Sequence, residues 1–338
     1  MRTLVTGGAG FIGSHLVERL LADGHQVTVA DNFSTGRIEN LKAVRDHPRL
    51  GVVTVDVSDS SRTRGLCANV DWVFHLAALA DIVPSIRRPL EYHRVNVDGT
   101  LSILEAARLA GVKRFVYAAS SSCYGVPDRV PTPEEAPIRA MYPYALTKNV
   151  GEQYVLHWWQ TYRLPCVSLR LFNVYGPRAC GSGSYGAVFG VFLAQKAANR
   201  PFTVVGDGEQ RRDFTFVSDV VEAFVRVAQS NLEGEILNVG SGHAYSINHL
   251  VGLLGGEVEY IPKRPGEPDC TWADVTRIST RLGWGAAVGF DQGVKILLRN
   301  LDDFRDAPVW DAVSIAEATC DWFEYLGAPR GSDESNRT

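Results

Sequence analysis

Short runs of β-branched and apolar residues alternate with helical periodicity through the first half of the chain. Arg2 to Thr6 reads as a strand. From Phe11 to Ala22 the apolar positions Ile12, Leu16, Leu20 and Leu21 recur at helical spacing and share one face. Gly24 stops that helix, and Gln26 to Ala30 reads as the second strand. Gly51 to Val55 and Trp72 to Leu76 supply two more. A helix from about Val97 to Ala110, ended by Gly111, leads into a strand over Arg114 to Ala118. A further helix containing Tyr144 to Trp159 leads into a strand over Cys166 to Leu171. Parallel neighbours need crossover connections, which are usually helical, so the alternation predicts an α/β fold with a doubly wound parallel sheet covered on both faces.

Beyond Asn173 the alternation weakens. A glycine-rich stretch, Gly176 to Gly190, is followed by mixed segments and turns, which predicts a smaller mixed α/β C-terminal domain on the substrate side. Asp213 to Gln229 reads as a helix and Glu235 to Gly240 as a strand that return to the large domain. The expected division is therefore 1–172 with returning segments 213–240, and 173–338 as mainly the second domain. Ser332 to Thr338 reads as a frayed polar tail.

Composition narrows the class. The chain has 338 residues, 45% hydrophobic and 21% charged, which excludes disordered, collagen-like and disulfide-scaffold proteins. Its 34 basic against 38 acidic residues leave no surplus to hold a nucleic-acid backbone. The six cysteines form no Cys-x-x-Cys pair, so neither a disulfide framework nor a metal site is expected. No basic segment with an apolar signal core occurs at the start, and no apolar run reaches about 18 residues, so no membrane partner is expected and the cytoplasm is the expected location.

The chemistry begins at Gly7, Gly10 and Gly13, a G-x-x-G-x-x-G turn between the first strand and a helix opened by Phe11 and Ile12. Glycines there allow a tight turn and close backbone approach to a pyrophosphate at a helix N-terminus, as in a Rossmann sheet; the alternative is an ordinary strand-to-helix turn. Asp31 ends the second strand beside Asn32. A carboxylate at that point accepts from both ribose hydroxyls and repels a 2′-phosphate, favouring NAD over NADP, with Arg37 leaving dual specificity open. Asp56 and Val57, then Leu76, Ala77 and Ala78, fall at strand carboxyl ends, the edge along which open α/β sheets bind ligands.

Tyr144 and Lys148 stand four residues apart, one helical turn, and project from one helix face. Alone, most such pairs are surface helix neighbours. With the segments Thr6 to Gly13, His75 to Ala78, Asn96 to Thr100, Ser120 to Gly125, Phe172 to Pro177, Arg212-Asp213 and Arg264 to Glu267, the chain resembles the extended short-chain dehydrogenase/reductase family, within it the NAD-dependent nucleotide-sugar epimerases and dehydratases. The resemblance implies a catalytic triad of Ser120, Tyr144 and Lys148, with Asn96 and Phe172 in the cofactor site. It implies Asn173, Arg212 and Arg264 around a nucleotide diphosphate, a role suited to the arginine fork, with Ala187, Val188, Thr203 and Val205 beside the base. Thr271 aligns with a position that gates sugar size, where a small residue resembles enzymes admitting N-acetylated sugars. A homodimer joined by the helices around Val97 to Ala110 and Tyr144 to Trp159 is also implied.

The residue types suit the chemistry. A sugar hydroxyl gives up a hydride only as its proton leaves, and a free tyrosine, with a pKa of about 10, is a weak base near neutrality. A nearby ammonium stabilises the phenolate, and Ser120 holds the same sugar oxygen. The related dehydratases and decarboxylases are expected to carry acidic residues just after the triad serine, whereas this chain has Ser121 and Ser122. That difference favours a 4-epimerase, and the small Thr271 together with the run Ala118 to Gly125, which resembles the N-acetylhexosamine branch, favours UDP-N-acetylglucosamine and UDP-N-acetylgalactosamine as its sugars. UDP-glucose or UDP-glucuronate epimerisation, 4,6-dehydration and a non-catalytic dinucleotide sensor stay open.

Overall fold

The protein is described by a computed structural model over residues 1–179 and 187–327. Cys180, the middle of the glycine-rich stretch and the polar tail lie outside the described residues.

Seven strands form the central sheet: β1 (Arg2–Thr6), β2 (Gln26–Asp31), β3 (Leu50–Thr54), β4 (Trp72–His75), β5 (Arg114–Ser120), β6 (Cys166–Leu171) and β7 (Glu235–Val239). Their order is β7-β6-β5-β4-β1-β2-β3, and every neighbouring pair is parallel. This is the doubly wound Rossmann sheet that the alternating pattern predicts. Side chains alternate across it: Val5, Phe74 and Val116 pack under Leu16 and Leu20 of the Phe11–Ala22 helix and Phe224 of the Val217–Gln229 helix. Their neighbours Leu4, Val73 and Phe115 face Ile103 and Leu104 of the Gly99–Ala110 helix and Val155 of the Pro143–Tyr162 helix. The chain winds outward in both directions from β1, between β2 and β4, so a crevice opens at the strand carboxyl ends there.

β7 adds to the sheet beside β6, pairing Glu235 with Val167, after the chain has left the sheet at Leu171. The preceding helix starts at Val217 rather than Asp213. Asp213 is fully buried and its carboxylate accepts from Ser241 N at 2.6 Å, Gly242 N at 3.2 Å and Ala273 N at 3.1 Å. Those partners come from two other segments, and Thr215–Phe216 pairs with Val174–Tyr175 as a short strand before the helix begins.

The remaining strands are short. Phe202–Val205 pairs with Val258–Ile261, and Arg211–Arg212 lies between Tyr245–Ser246 and Cys270–Thr271. A third core, rich in stacked rings of Tyr175, Phe189, Phe214 and Phe290, supports them. The register sets Thr271 beside Arg212.

Candidate active site

A cleft of about 1210 Å³ runs along the carboxyl ends of the sheet and continues between it and the short strands. Its dinucleotide end is shaped by glycine. Gly7 has φ +68°, and a Cβ there would stand 2.8 Å from Ala77 N. A Cβ at Gly13 would collide with the Gly7 carbonyl, which accepts from Gly10 N at 3.0 Å. No side chain caps the helix start at Gly10. The backbone cradle thus fits a pyrophosphate against a helix N-terminus.

Asp31 is 7% exposed at the end of β2. Its two oxygens accept from Ala9 N at 3.0 Å and Phe33 N at 2.8 Å, which leaves acceptor capacity for ribose hydroxyls. Burial pushes its carboxyl up, and the backbone donors oppose that. A Cβ at Gly36 would press within 2.8 Å of the carboxylate, so glycine keeps the space beside it open. These features fit NAD. Asn32, Asp56, Val57, Leu76, Ala77 and Ala78 line the same end, with Arg37 among them.

Two side chains of the expected cofactor site do not line the cleft. Asn96 is 1% exposed; its Oδ1 accepts from Leu79 N at 2.8 Å, and its Nδ2 donates to Leu79 O and Thr147 Oγ1, each at 3.0 Å. It ties the cleft wall after β4 to the Pro143–Tyr162 helix from behind. Phe172 is buried with Cys123, Tyr124 and Ala273. Both side chains brace the wall: neighbours occupy the polar groups of Asn96 and enclose the ring of Phe172.

The expected triad converges. Ser120 ends β5, and its Oγ accepts from Ser122 N at 3.2 Å and lies 2.8 Å from Ser122 Oγ, fixing the tight turn that follows. Tyr144 and Lys148 rise from one face of the Pro143–Tyr162 helix, started by a proline in its first turn. Burial pushes the Tyr144 phenol up, and a hydrogen bond with Ser120 pulls it back. Lys148 is 4% exposed; burial draws its ammonium down to about 7, against the charge of Glu152 one turn further on. Glu152 is itself paired with Arg170 at 2.6 Å in the core. His75, motif residue of β4, is buried between Thr6 Oγ1 at 2.7 Å and Thr100 Oγ1 at 3.0 Å; burial, then the Lys148 charge, push it down to about 3, so it is neutral.

The substrate end gathers the rest. Ser121, Ser122, Asn173, Ala187, Val188, Thr203, Val205, Arg212, Arg264 and Thr271 all line the cleft. Asn173 Nδ2 donates to Thr271 Oγ1 at 2.9 Å, which links two expected substrate residues 98 positions apart. Arg212 Nη2 donates to Glu267 Oε1 at 2.8 Å, and Arg264 Nη1 lies 3.8 Å from Glu267 Oε2. Glu267 thus sits between the two arginines, a role the Arg264 to Glu267 motif contained without disclosing. Tyr142, Trp310 and Trp322 also line the cleft and were not expected there. Tyr142 stands two residues before Tyr144, with the two rings parallel within 6°. The tryptophans come from the far end of the chain, and no local pattern places them.

Residues 3–240 match the NAD dependent epimerase/dehydratase family. The chain is 41% identical over 303 residues to the UDP-glucose 4-epimerase of Mycolicibacterium smegmatis, covering 87% of this chain and 96% of that one. It is similar in structure to a UDP-N-acetylglucosamine 4-epimerase from Methanobrevibacter ruminantium in complex with UDP-N-acetylmuramic acid, with TM-score 0.83, 32% identity, and 88% and 98% of the two chains covered. A Thermus thermophilus UDP-glucose 4-epimerase in complex with NAD matches with TM-score 0.80 and 34% identity, covering 91% of this chain and all of that one, 100%. The chain belongs to the NAD-dependent epimerase/dehydratase family. It is an enzyme of that family, and its dinucleotide is NAD.

Proposed function

We propose that the protein is a UDP-sugar 4-epimerase that interconverts UDP-N-acetylglucosamine and UDP-N-acetylgalactosamine through a transient 4-keto sugar. The observation that carries the reaction type is the pair of hydroxyls at 2.8 Å, Ser120 and Ser122. Elimination of a C6 hydroxyl calls for an acid near the triad serine, and the group found there is a second serine. Tyr144, held by Ser120, accepts the O4 proton of the sugar. Lys148, one turn further along the same helix, stabilises the phenolate, and Ser120 keeps O4 aligned. NAD, when bound, would supply a reversible hydride acceptor: its oxidised form makes C4 a ketone and its reduced form restores the alcohol. Tyr144 then returns the proton after the keto sugar has presented its other face.

Thr271 supports the N-acetylated sugar. Its small side chain lines the cleft and is anchored by Asn173, leaving room where a bulkier residue would stand. The resemblance to the Methanobrevibacter enzyme points the same way, while the 41% identity to a UDP-glucose 4-epimerase favours UDP-glucose as a second reading. Proton NMR of the protein incubated with each UDP-sugar tests this: inversion at C4 without added NAD is expected, with the N-acetylated pair turned over fastest. A dehydrated product would overturn it.

We also read the division of the chain as 1–172 with 213–240 for the dinucleotide, and 173–338 for the substrate. The exposed Leu109 and Leu146, on the Gly99–Ala110 and Pro143–Tyr162 helices, suit a homodimer. Light scattering should give twice the chain mass, and Leu146→Glu should give a monomer. Five described cysteines are free, which suits a reducing, cytoplasmic setting; among the described residues no helix is long and apolar enough to cross a membrane.

A further inference from the structure

The family match ends at residue 240, yet the chain beyond Arg305 reaches back to the cleft at two points. At the first, Trp310 O accepts from Gln195 Nε2 at 2.7 Å, and the same amide donates to Thr203 Oγ1 at 2.8 Å. At the second, Trp322 on the Cys320–Gly327 helix is 5% exposed and packs against three substrate-side features. Its indole N–H donates to Pro265 O at 2.8 Å. The Arg264 guanidinium lies 5.7 Å from the Trp322 ring, within cation–π range. The Tyr142 ring lies 6.0 Å away on another side, itself parallel to Tyr144. The helix is held down elsewhere by an ion pair between Arg87 and Asp321, with Arg87 Nη2 also donating to Ala318 O at 3.2 Å.

We propose that Trp322 is a positioning residue of the nucleotide-sugar site: it fixes Arg264 and Tyr142, so that the C-terminal helix closes the substrate end of the cleft. The inference rests on the reading of Arg264 as a diphosphate ligand. An arginine side chain loses considerable rotamer freedom on binding an anion, and a ring that holds it in place beforehand removes part of that cost. The indole does this from one face while its N–H pins the adjacent carbonyl. No reacting atom is involved, so the effect belongs to substrate binding and spares the chemistry and NAD.

The test uses the NAD-loaded full chain. Calorimetric titration with UDP, UDP-N-acetylglucosamine and UDP-glucose is paired with steady-state kinetics. Trp322→Leu should raise Kd and KM by about tenfold, the scale of a lost cation–π contact plus a lost hydrogen bond, with kcat changed much less and bound NAD unchanged. Trp322→Phe keeps a ring against Arg264 and should recover part of the affinity. Phe323→Ala, on the exposed side of the same helix, should leave Kd alone. If Trp322→Leu does not fold, Arg87→Gln decides: it frees the helix without touching the cleft and should weaken UDP in the same direction. Wild-type Kd in folded Trp322→Leu, or an equal loss in Phe323→Ala, overturns the inference. Wild-type protein that binds UDP-sugars without epimerising them defeats the proposed reaction alone; one that binds none defeats both.

Discussion

The ammonium of Lys148 lies 4.2 Å from the centre of the Tyr117 ring, on which His75 is stacked at 5.8 Å. Tyr117 OH donates to Lys148 O at 3.3 Å, and its oxygen packs so closely on Gly151 that no Cβ would fit there. One buried phenol therefore positions both the helix backbone and the charged end of the triad lysine. A cation–π contact offsets part of the cost of burying an ammonium. Burial still dominates, which is why Lys148 falls to about 7.

That shift has a direct consequence for stability in the NAD-free protein. Unfolded, Lys148 keeps its proton up to its ordinary 10.5; folded, only up to about 7. Between these values the unfolded chain binds more protons, so this group makes stability rise with pH across the window. Urea unfolding near its two ends should give the higher midpoint at the alkaline end, after correction for other groups with Lys148→Met. A Lys148→Met protein with an undiminished slope would show that burial does not draw the lysine down in the folded protein.

Removing the Tyr144 hydroxyl should separate chemistry from binding. Tyr144→Phe should lose at least about 100-fold in kcat, the usual worth of a positioned acid–base group, while NAD extracted by heat stays near one per chain. Lys148→Ala should lose activity and NAD together. Retention of about a tenth of the activity by Tyr144→Phe would remove it as the base.

Thr271→Tyr adds a ring beside Asn173, at the substrate end of the cleft. Overpacking there should lower kcat/KM for UDP-N-acetylglucosamine far more than for UDP-glucose. Thr271→Val, which loses only the hydroxyl accepting from Asn173, separates the lost hydrogen bond from the added bulk. Equal losses with both sugars in Thr271→Tyr would show that this position does not set sugar size.

Much of this site is legible along the sequence because its parts are local. The glycine turn, Asp31, and the Tyr144 and Lys148 spacing each depend on one strand end or one helix turn, and parallel sheet order then brings those ends together. Asn96 was legible as a motif residue, but its bonds to Leu79 and Thr147 cross between elements, so its bracing role was not. The same reason hides the Tyr117 platform and Trp322, whose partners lie 31 and 57 residues away by the hydrogen bonds they make. Asp213 shows the cost of reading periodicity alone: four apolar residues follow at helical spacing, yet a buried carboxylate holding two other segments keeps the chain extended until Val217.

Deuterium at C4 of UDP-N-acetylglucosamine tests the central claim most directly. Oxidation and reduction at one carbon, with the sugar turning between them and the reducing equivalent kept in the cleft, return the label to where it began. NMR and mass spectrometry should find UDP-N-acetylgalactosamine with its deuterium at C4 and none lost to water. Migration of the label to C6 with loss of water, or its washing out during turnover, would contradict the account.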